Sequence, residues 1–358
     1  MSAMTTFDAV LTHAVSSGAS DIYFLEGVAP SVKVDGLVSP VPGQDLIDGD
    51  GMRAILERLL PVRERAAFAE RGEANLSHMH PILGRFRVNC YRAMMVSGAV
   101  LRRVKTEVPT LEALELPPVL GSLVLERQGL IVLVGATGAG KSTTVAAMLH
   151  HRIIQSRGHV VTIEDPVEYL QPSKQSIVSQ REVGIDTESY VVGLRNALRQ
   201  APDVIFVGEL RDPETMAVAL HSAETGHLVV STLHATNATT AIERVLNFFQ
   251  PEVRASMLLQ LSLTLRAVIA QRLVPRGSGK GRVAAMEVML VTPRIQALIR
   301  RGELETIRQA IEEGTNEGLQ TFDQALLDLF QRKVIGQEDA VRFADSPNNL
   351  RLRLKGIR

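Results

Sequence analysis

Phe7, Val10, Leu11 and Ala14 recur at i, i+3, i+4 and i+7, the spacing of an amphipathic helix with one face on a core. The period then falls to two. In "SDIYFLEG", "PSVKVDG", "GRFRVNCYR" and "SGAVLRRV" apolar and polar residues alternate as on half-buried strands, with helices expected between Asp50 and Glu70. These segments predict a smaller α+β domain over residues 1–106. Pro109, Pro117 and Pro118, among acidic and small residues, break the pattern and predict an interdomain linker at 107–122.

From 123 to 358 the texture changes. The runs "LIVLVG", "HVVTIED", "DVIFVGE" and "HLVVSTLH" are apolar throughout and separated by helical stretches, as expected of buried parallel strands in a doubly wound α/β sheet. After Asn237 the chain reads as mostly helical. Thr321 and Gln324 have the spacing of a capping box that opens one late helix.

The 358 residues suffice for two ordinary domains, each with its own core. Lys plus Arg and Asp plus Glu balance at 39 each without a long basic run, so the footprint of a dedicated nucleic-acid binder is missing. Cys90 is the only cysteine, which excludes an internal disulfide framework and a zinc site built from several thiolates. The start "MSAMTTFDAVLTHAV" does not read as a leader, and no stretch approaches the roughly 18 consecutive apolar residues of a membrane span. A cytoplasmic protein with no membrane insertion of its own is expected.

One motif carries firm chemistry. "GATGAGKS", Gly135 to Ser142, matches G-x-x-x-x-G-K-[ST] at every fixed position, between the strand "LIVLV" and the helix "TTVAAMLHHRI". Gly135, Ala136, Thr137, Gly138, Ala139, Gly140, Lys141, Ser142 and Thr143 are therefore expected to bind nucleotide phosphates. Gly138 and Gly140 let backbone amides face phosphate oxygens, Lys141 neutralises the β and γ phosphates, and the Ser142 hydroxyl is placed for Mg2+. The implied ligands are ATP and Mg2+.

In "DVIFVGELRD" an apolar strand ends in Glu209, but the preceding position, where an aspartate for the metal is usual, is Gly208. Parallel strands end on one edge, so other acids can serve the same site. Glu164 and Asp165 in "VVTIEDPVEY" end the preceding strand; Glu164 is expected beside Mg2+, directly or through water, leaving Glu209 to orient or deprotonate the attacking water. The reverse division of roles is equally compatible with the sequence. His234 in "STLHATN" falls at a third strand end, where its position alone reads equally as a sensor of the γ phosphate or as a structural histidine.

Phosphoryl transfer also draws on arginines. Arg85, Arg87 and Asn89 alternate with Phe86, Val88 and Cys90, placing the polar set on one strand face, and Arg102 follows on the next strand. Arg195 and Arg199 in "GLRNALRQAPD" share a helix face just before the Glu209 strand. Taken singly, each reads equally as an exposed surface charge.

Together "GATGAGKSTT", "TIEDPVEY", "QREVGIDT", "LRNALRQAPDVIFVGELRD", "AETGHLVVSTLHATNA" and "QRLV" resemble the secretion and type IV pilus ATPases, most closely the PilT/PilU retraction branch. The resemblance runs from "SDIYFLEGVAPSVKVDG" to the C-terminus, where "ADSPNNLRLRLK" is more similar to PilU. It implies a hexameric ring of subunits, each a PAS-like domain followed by a RecA-like motor domain. It places Glu164 in an acidic box, makes Glu209 the catalytic glutamate and puts His227 and His234 in a histidine box. Arg87 and Arg102 match arginines of the N-terminal domain that approach the nucleotide, and Arg195 and Arg199 a motor-domain pair.

The chain lacks the zinc-binding tetracysteine motif general among the assembly ATPases, which favours retraction over extension. It departs from the family at Tyr23, where "SDLH" is usual, and in "RIQALIR", where Arg294 and Gln296 replace the alanine and first arginine of the retraction motif. The two changes in the retraction motif fit an accessory role beside a PilT-like ATPase. Expected partners are further copies of the chain and a pilus platform protein at the inner membrane. The alternatives are a RecA-like nucleic-acid motor and a non-autonomous ATP-binding adaptor.

Overall fold

The computed structural model describes residues 3–34, 36–104 and 106–354, which divide into two compact units at the Thr106–Glu107 boundary. The first unit begins with α1 (Ala3–Ser16), whose Phe7, Val10, Leu11 and Ala14 are at most 2% exposed. Strands β1 (Asp21–Leu25), β2 (Ser31–Val34) and β3 (Leu37–Pro40) follow, then α2 (Gly49–Leu59), α3 (Val62–Arg71), β4 (Glu73–His80), β5 (Gly84–Ala93) and β6 (Val96–Arg103). They form one antiparallel sheet in the order β3-β2-β1-β6-β5-β4. Phe86, Val88 and Cys90 of β5 are fully buried while Arg87 and Asn89 are exposed, which is the alternation read from the sequence. The edge strands β3 and β4 gave no such signal: all four residues of β3 are exposed, and β4 has one buried position.

The second unit opens with residues expected as a linker. Here the structure differs, because Leu111, Leu116 and Leu120 are buried in the same apolar cluster as Val145, Met148 and Leu149. Pro118 stands at the N-cap of α4 (Val119–Val124), so the prolines start a short packed helix instead of keeping the chain open. Each leucine side chain so buried contributes about 1.5–3 kcal/mol.

The elements that follow are β7 (Gly129–Val134), α5 (Lys141–Gln155), β8 (Gly158–Glu164), β9 (Ser176–Glu182), α6 (Tyr190–Ala197), β10 (Val204–Val207), α7 (Pro213–Glu224) and β11 (Leu228–Leu233). After them come α8 (Ala238–Asn247), α9 (Arg254–Thr264), β12 (Leu265–Pro275), β13 (Arg282–Leu290), α10 (Pro293–Arg301), α11 (Ile307–Glu313), α12 (Phe322–Gln331), α13 (Gln337–Arg342) and α14 (Pro347–Leu354). The seven-stranded sheet has the order β13-β12-β7-β11-β10-β8-β9, parallel throughout except for the antiparallel pair β12 and β13. Helices cover both faces: Leu130, Val132 and Val134 of β7 join one apolar cluster, Ile131 and Leu133 the other.

Two strands lie where mostly helix was expected. α9 passes directly into β12 at Thr264–Leu265 with no Gly or Pro between, so the apolar run "LLQLSLTLRAVIA" conceals the change of period. The Thr321–Gln324 capping box is present on α12. Among the described residues no helix is long and apolar enough to cross a membrane.

Candidate functional site

Because β7, β8, β10 and β11 are parallel neighbours, their C-terminal ends share one sheet edge. The segments leaving that edge line a cleft of about 490 Å³. The loop after β7 supplies Thr137 to Thr143, β8 ends in Glu164 followed by Asp165, the segment after β10 carries Glu209 and Arg211, and β11 leads to His234.

The loop is shaped by glycine. Gly140, the N-cap of α5, has φ 87°, and a Cβ there would lie 2.8 Å from Gln271 Nε2. Gln271, on β12 and 3% exposed, ties the loop to the sheet: its Nε2 donates to Ala139 O at 2.8 Å and its Oε1 accepts from the Thr144 hydroxyl at 2.7 Å. Lys141 folds back on the loop, its Nζ donating to Gly135 O at 2.7 Å and Ala136 O at 3.1 Å. Burial lowers the Lys141 pKa, against the opposing pull of the Glu209 and Glu168 carboxylates.

This arrangement fits a nucleotide phosphate. The N-terminus of a 15-residue helix, a half-buried ammonium group and a backbone free of side chains meet at one point. Oxygen donors for a magnesium ion are at hand in the Ser142 hydroxyl and the carboxylates of Glu164, Asp165 and Glu209. Among the described residues no three His, Cys, Asp or Glu side chains converge on one point.

Glu164 and Glu209 occupy different environments. Glu164 is 9% exposed; its Oε1 accepts from the Thr162 hydroxyl at 2.6 Å and from Gln180 Nε2 at 3.0 Å. Burial pushes its carboxyl above the ordinary range, with those two hydrogen bonds pulling the other way. Glu209 reaches into the cleft between two cationic or potentially cationic groups. Arg211 Nε donates to its Oε2 at 2.7 Å, and His234 Nε2 lies 3.2 Å from its Oε1.

A scan against protein families finds the type II/IV secretion system proteins over residues 2–334. The chain belongs to that family. Among relatives of the family, it is 46% identical to the type IV pilus ATPase PilU of Pseudomonas aeruginosa over 98% of this chain and 91% of that one. It is 39% identical to the type IV pilus retraction ATPase PilT of the same organism, covering 95% and 98%. Of solved structures in the family, the pilus retraction motor PilT with bound ADP superposes with a TM-score of 0.88 at 37% identity, over 96% of this chain and 98% of that one. The ATPase DotB of Legionella pneumophila gives 0.73 at 26% identity, covering 94% of each chain.

The cleft brings together the loop Thr137 to Thr143, Glu164, Glu209 and His234. Other expected residues lie elsewhere. His227 precedes β11 and faces Ser222 O at 3.1 Å, so the strand separates it from His234 by roughly 20 Å. Arg195 does not line the cleft; it pairs with Glu214 at 2.9 Å, both side chains exposed. Arg199 falls in a 3-10 turn that directly follows α6, is exposed and does not line the cleft. In the first unit, Arg87 and Arg102 are directly paired across β5 and β6, and Arg102 binds Asp21 at 2.6 Å.

Three contributors were not singled out in the sequence. Gln271 sits within "QRLV", far along the chain from the loop it braces. Tyr169 meets the Thr143 hydroxyl at 3.0 Å. Arg211 was visible only as the arginine of "GELRD", two residues past the glutamate it holds.

Proposed function

We infer that this chain is an ATPase motor that powers type IV pilus retraction, hydrolysing ATP to ADP and phosphate. One observation carries the reading: the phosphate loop and Glu209 open into a single cleft, in a chain related to PilU along nearly its whole length. The chemistry of such a site is positioning and electrostatics rather than covalent catalysis.

On this reading Lys141 exchanges its two loop carbonyls for the β and γ phosphate oxygens, and the amides at the start of α5 hold the same group. Ser142, with Glu164 directly or through water, holds magnesium, which neutralises charge on the transferring phosphoryl group. Glu164, buried and bound to Thr162 and Gln180, is fixed in place, whereas Glu209 faces the cleft and aligns the attacking water. His234 sits against Glu209 where it reports on the γ phosphate. Arg195 and Arg199 do not line the cleft, and Arg87 and Arg102 belong to the first unit. They serve across subunit contacts of a homo-hexamer, which acts at the cytoplasmic face of the inner membrane on a platform protein.

The substitutions Arg294 and Gln296 in the α10 motif favour an accessory role beside a PilT-like ring. The test is retraction in a strain that lacks this chain. Restoration by the wild type and not by Lys141→Ala supports the motor reading; equal restoration by both contradicts it.

A further inference from the structure

Across the ends of β8, β10 and β11 runs a chain of charged or titratable groups in the order Asp165, Arg211, Glu209, His234. Arg211 Nη1 is 3.9 Å from Asp165 Oδ2, Arg211 Nε is 2.7 Å from Glu209 Oε2, and His234 Nε2 is 3.2 Å from Glu209 Oε1. Each carboxylate oxygen of Glu209 therefore faces one nitrogen. A carboxylate oxygen has two lone pairs, so this leaves room for a water on either.

We propose that Arg211 is a positioning residue for hydrolysis, fixing the Glu209 carboxylate so that a remaining lone pair is aimed at the attacking water. The inference rests on the assignment of ATP hydrolysis to this cleft and adds a residue to it. Glu209 hangs from a short connection just past β10, and a glutamate has three side-chain torsions to fix. His234 holds one oxygen only. The planar guanidinium of Arg211 holds the second oxygen, and its Nη1 lies 3.9 Å from Asp165 Oδ2 on the neighbouring strand end, so both carboxylate oxygens are held. The hydrogen bond to Glu209 is also the leading cause of the raised Arg211 pKa.

Arg211 is 56% exposed and Glu209 only 14%. With more than half of its side chain in solvent, Arg211 fills no core space, so truncating it leaves the fold intact and exposes its effect on the reaction. A misplacement of about 1 Å in an aligning group costs on the order of a hundredfold in rate.

The test compares wild type, Arg211→Ala and Arg211→Lys for magnesium-dependent ATP turnover, ATP KM and thermal midpoint. The expected result is a kcat lower by roughly ten- to a hundredfold in Arg211→Ala, with KM within about twofold, an unchanged melting temperature and partial recovery in Arg211→Lys, which restores one donor. Undiminished kcat in Arg211→Ala would overturn the inference while leaving the ATPase assignment standing. So would a raised KM with kcat intact, which marks a nucleotide contact rather than a positioning role. Absence of turnover in the wild-type assembly would overturn the assignment and this inference with it.

Discussion

The Tyr190 hydroxyl lies 2.9 Å from the point where a side chain on Gly208 would begin. Ile163 O stands 3.4 Å from the same point, and Gly208 N donates to that carbonyl at 2.8 Å. The residue before Glu209 is thus held without a side chain by the start of α6 and the end of β8. A side chain there requires Tyr190 to shift, and the acidic groups of the cleft come from other positions, among them Glu164, Asp165 and Glu209.

This contact makes a two-part prediction. Gly208→Ala should lower ATP turnover by about tenfold, on the order of 1.4 kcal/mol, because Tyr190 must shift and carry the Glu209 segment with it. Adding Tyr190→Phe removes the hydroxyl, leaving the ring carbon at 3.4 Å as the nearest tyrosine contact, and should restore much of the rate. Steady-state kinetics of the single and double variants decide this; a double variant no better than the single one contradicts the steric account.

Gln271 is expected to matter for both stability and nucleotide affinity. Gln271→Leu leaves the Ala139 carbonyl and the Thr144 hydroxyl without their present partner in a buried site, at a cost of about 1–3 kcal/mol for each group left unsatisfied. A lower unfolding midpoint together with weaker ATP binding should be measured by denaturant titration and a fluorescent nucleotide. An unchanged nucleotide affinity would show that the brace does not shape the loop.

Glu287 predicts a pH dependence of stability. It is 3% exposed on β13, its Oε1 accepts from Ala238 N at 2.7 Å, and burial raises its pKa from 4.5 to about 7. The folded protein then holds a proton that the unfolded chain releases between those values, so stability is fully present below pH 4.5 and is lost as pH rises to about 7. The loss is up to about 3 kcal/mol at ~1.4 kcal/mol per unit. Glu287→Gln keeps an acceptor for Ala238 and removes the titration. Its advantage in melting temperature over wild type should therefore grow from pH 5 to pH 8, and a constant difference would contradict the assignment.

Much of the site was legible because its chemistry is local in sequence. Lys141 and Ser142 lie in one contiguous motif, and Glu164, Glu209 and His234 each follow an apolar run whose parallel pairing sends its end to the same edge. What the sequence could not supply was contact between distant residues. Gln271 meets Ala139 across 132 positions, and neither carries a periodic signal that points to the other. The linker reading failed because Pro117 and Pro118 are equally at home before a packed helix, and α4 is too short to announce its period. β12 was hidden because a buried strand and a buried helix both read as continuous apolar sequence.

The most direct test is magnesium-dependent ATP hydrolysis by the purified protein, wild type beside Glu209→Gln, with assembly followed by light scattering. The account predicts turnover by a wild-type hexamer and a loss of roughly a hundredfold or more in the variant, with nucleotide binding and ring size preserved. Equal turnover by both proteins, or no turnover by a wild-type ring that binds ATP, would contradict it.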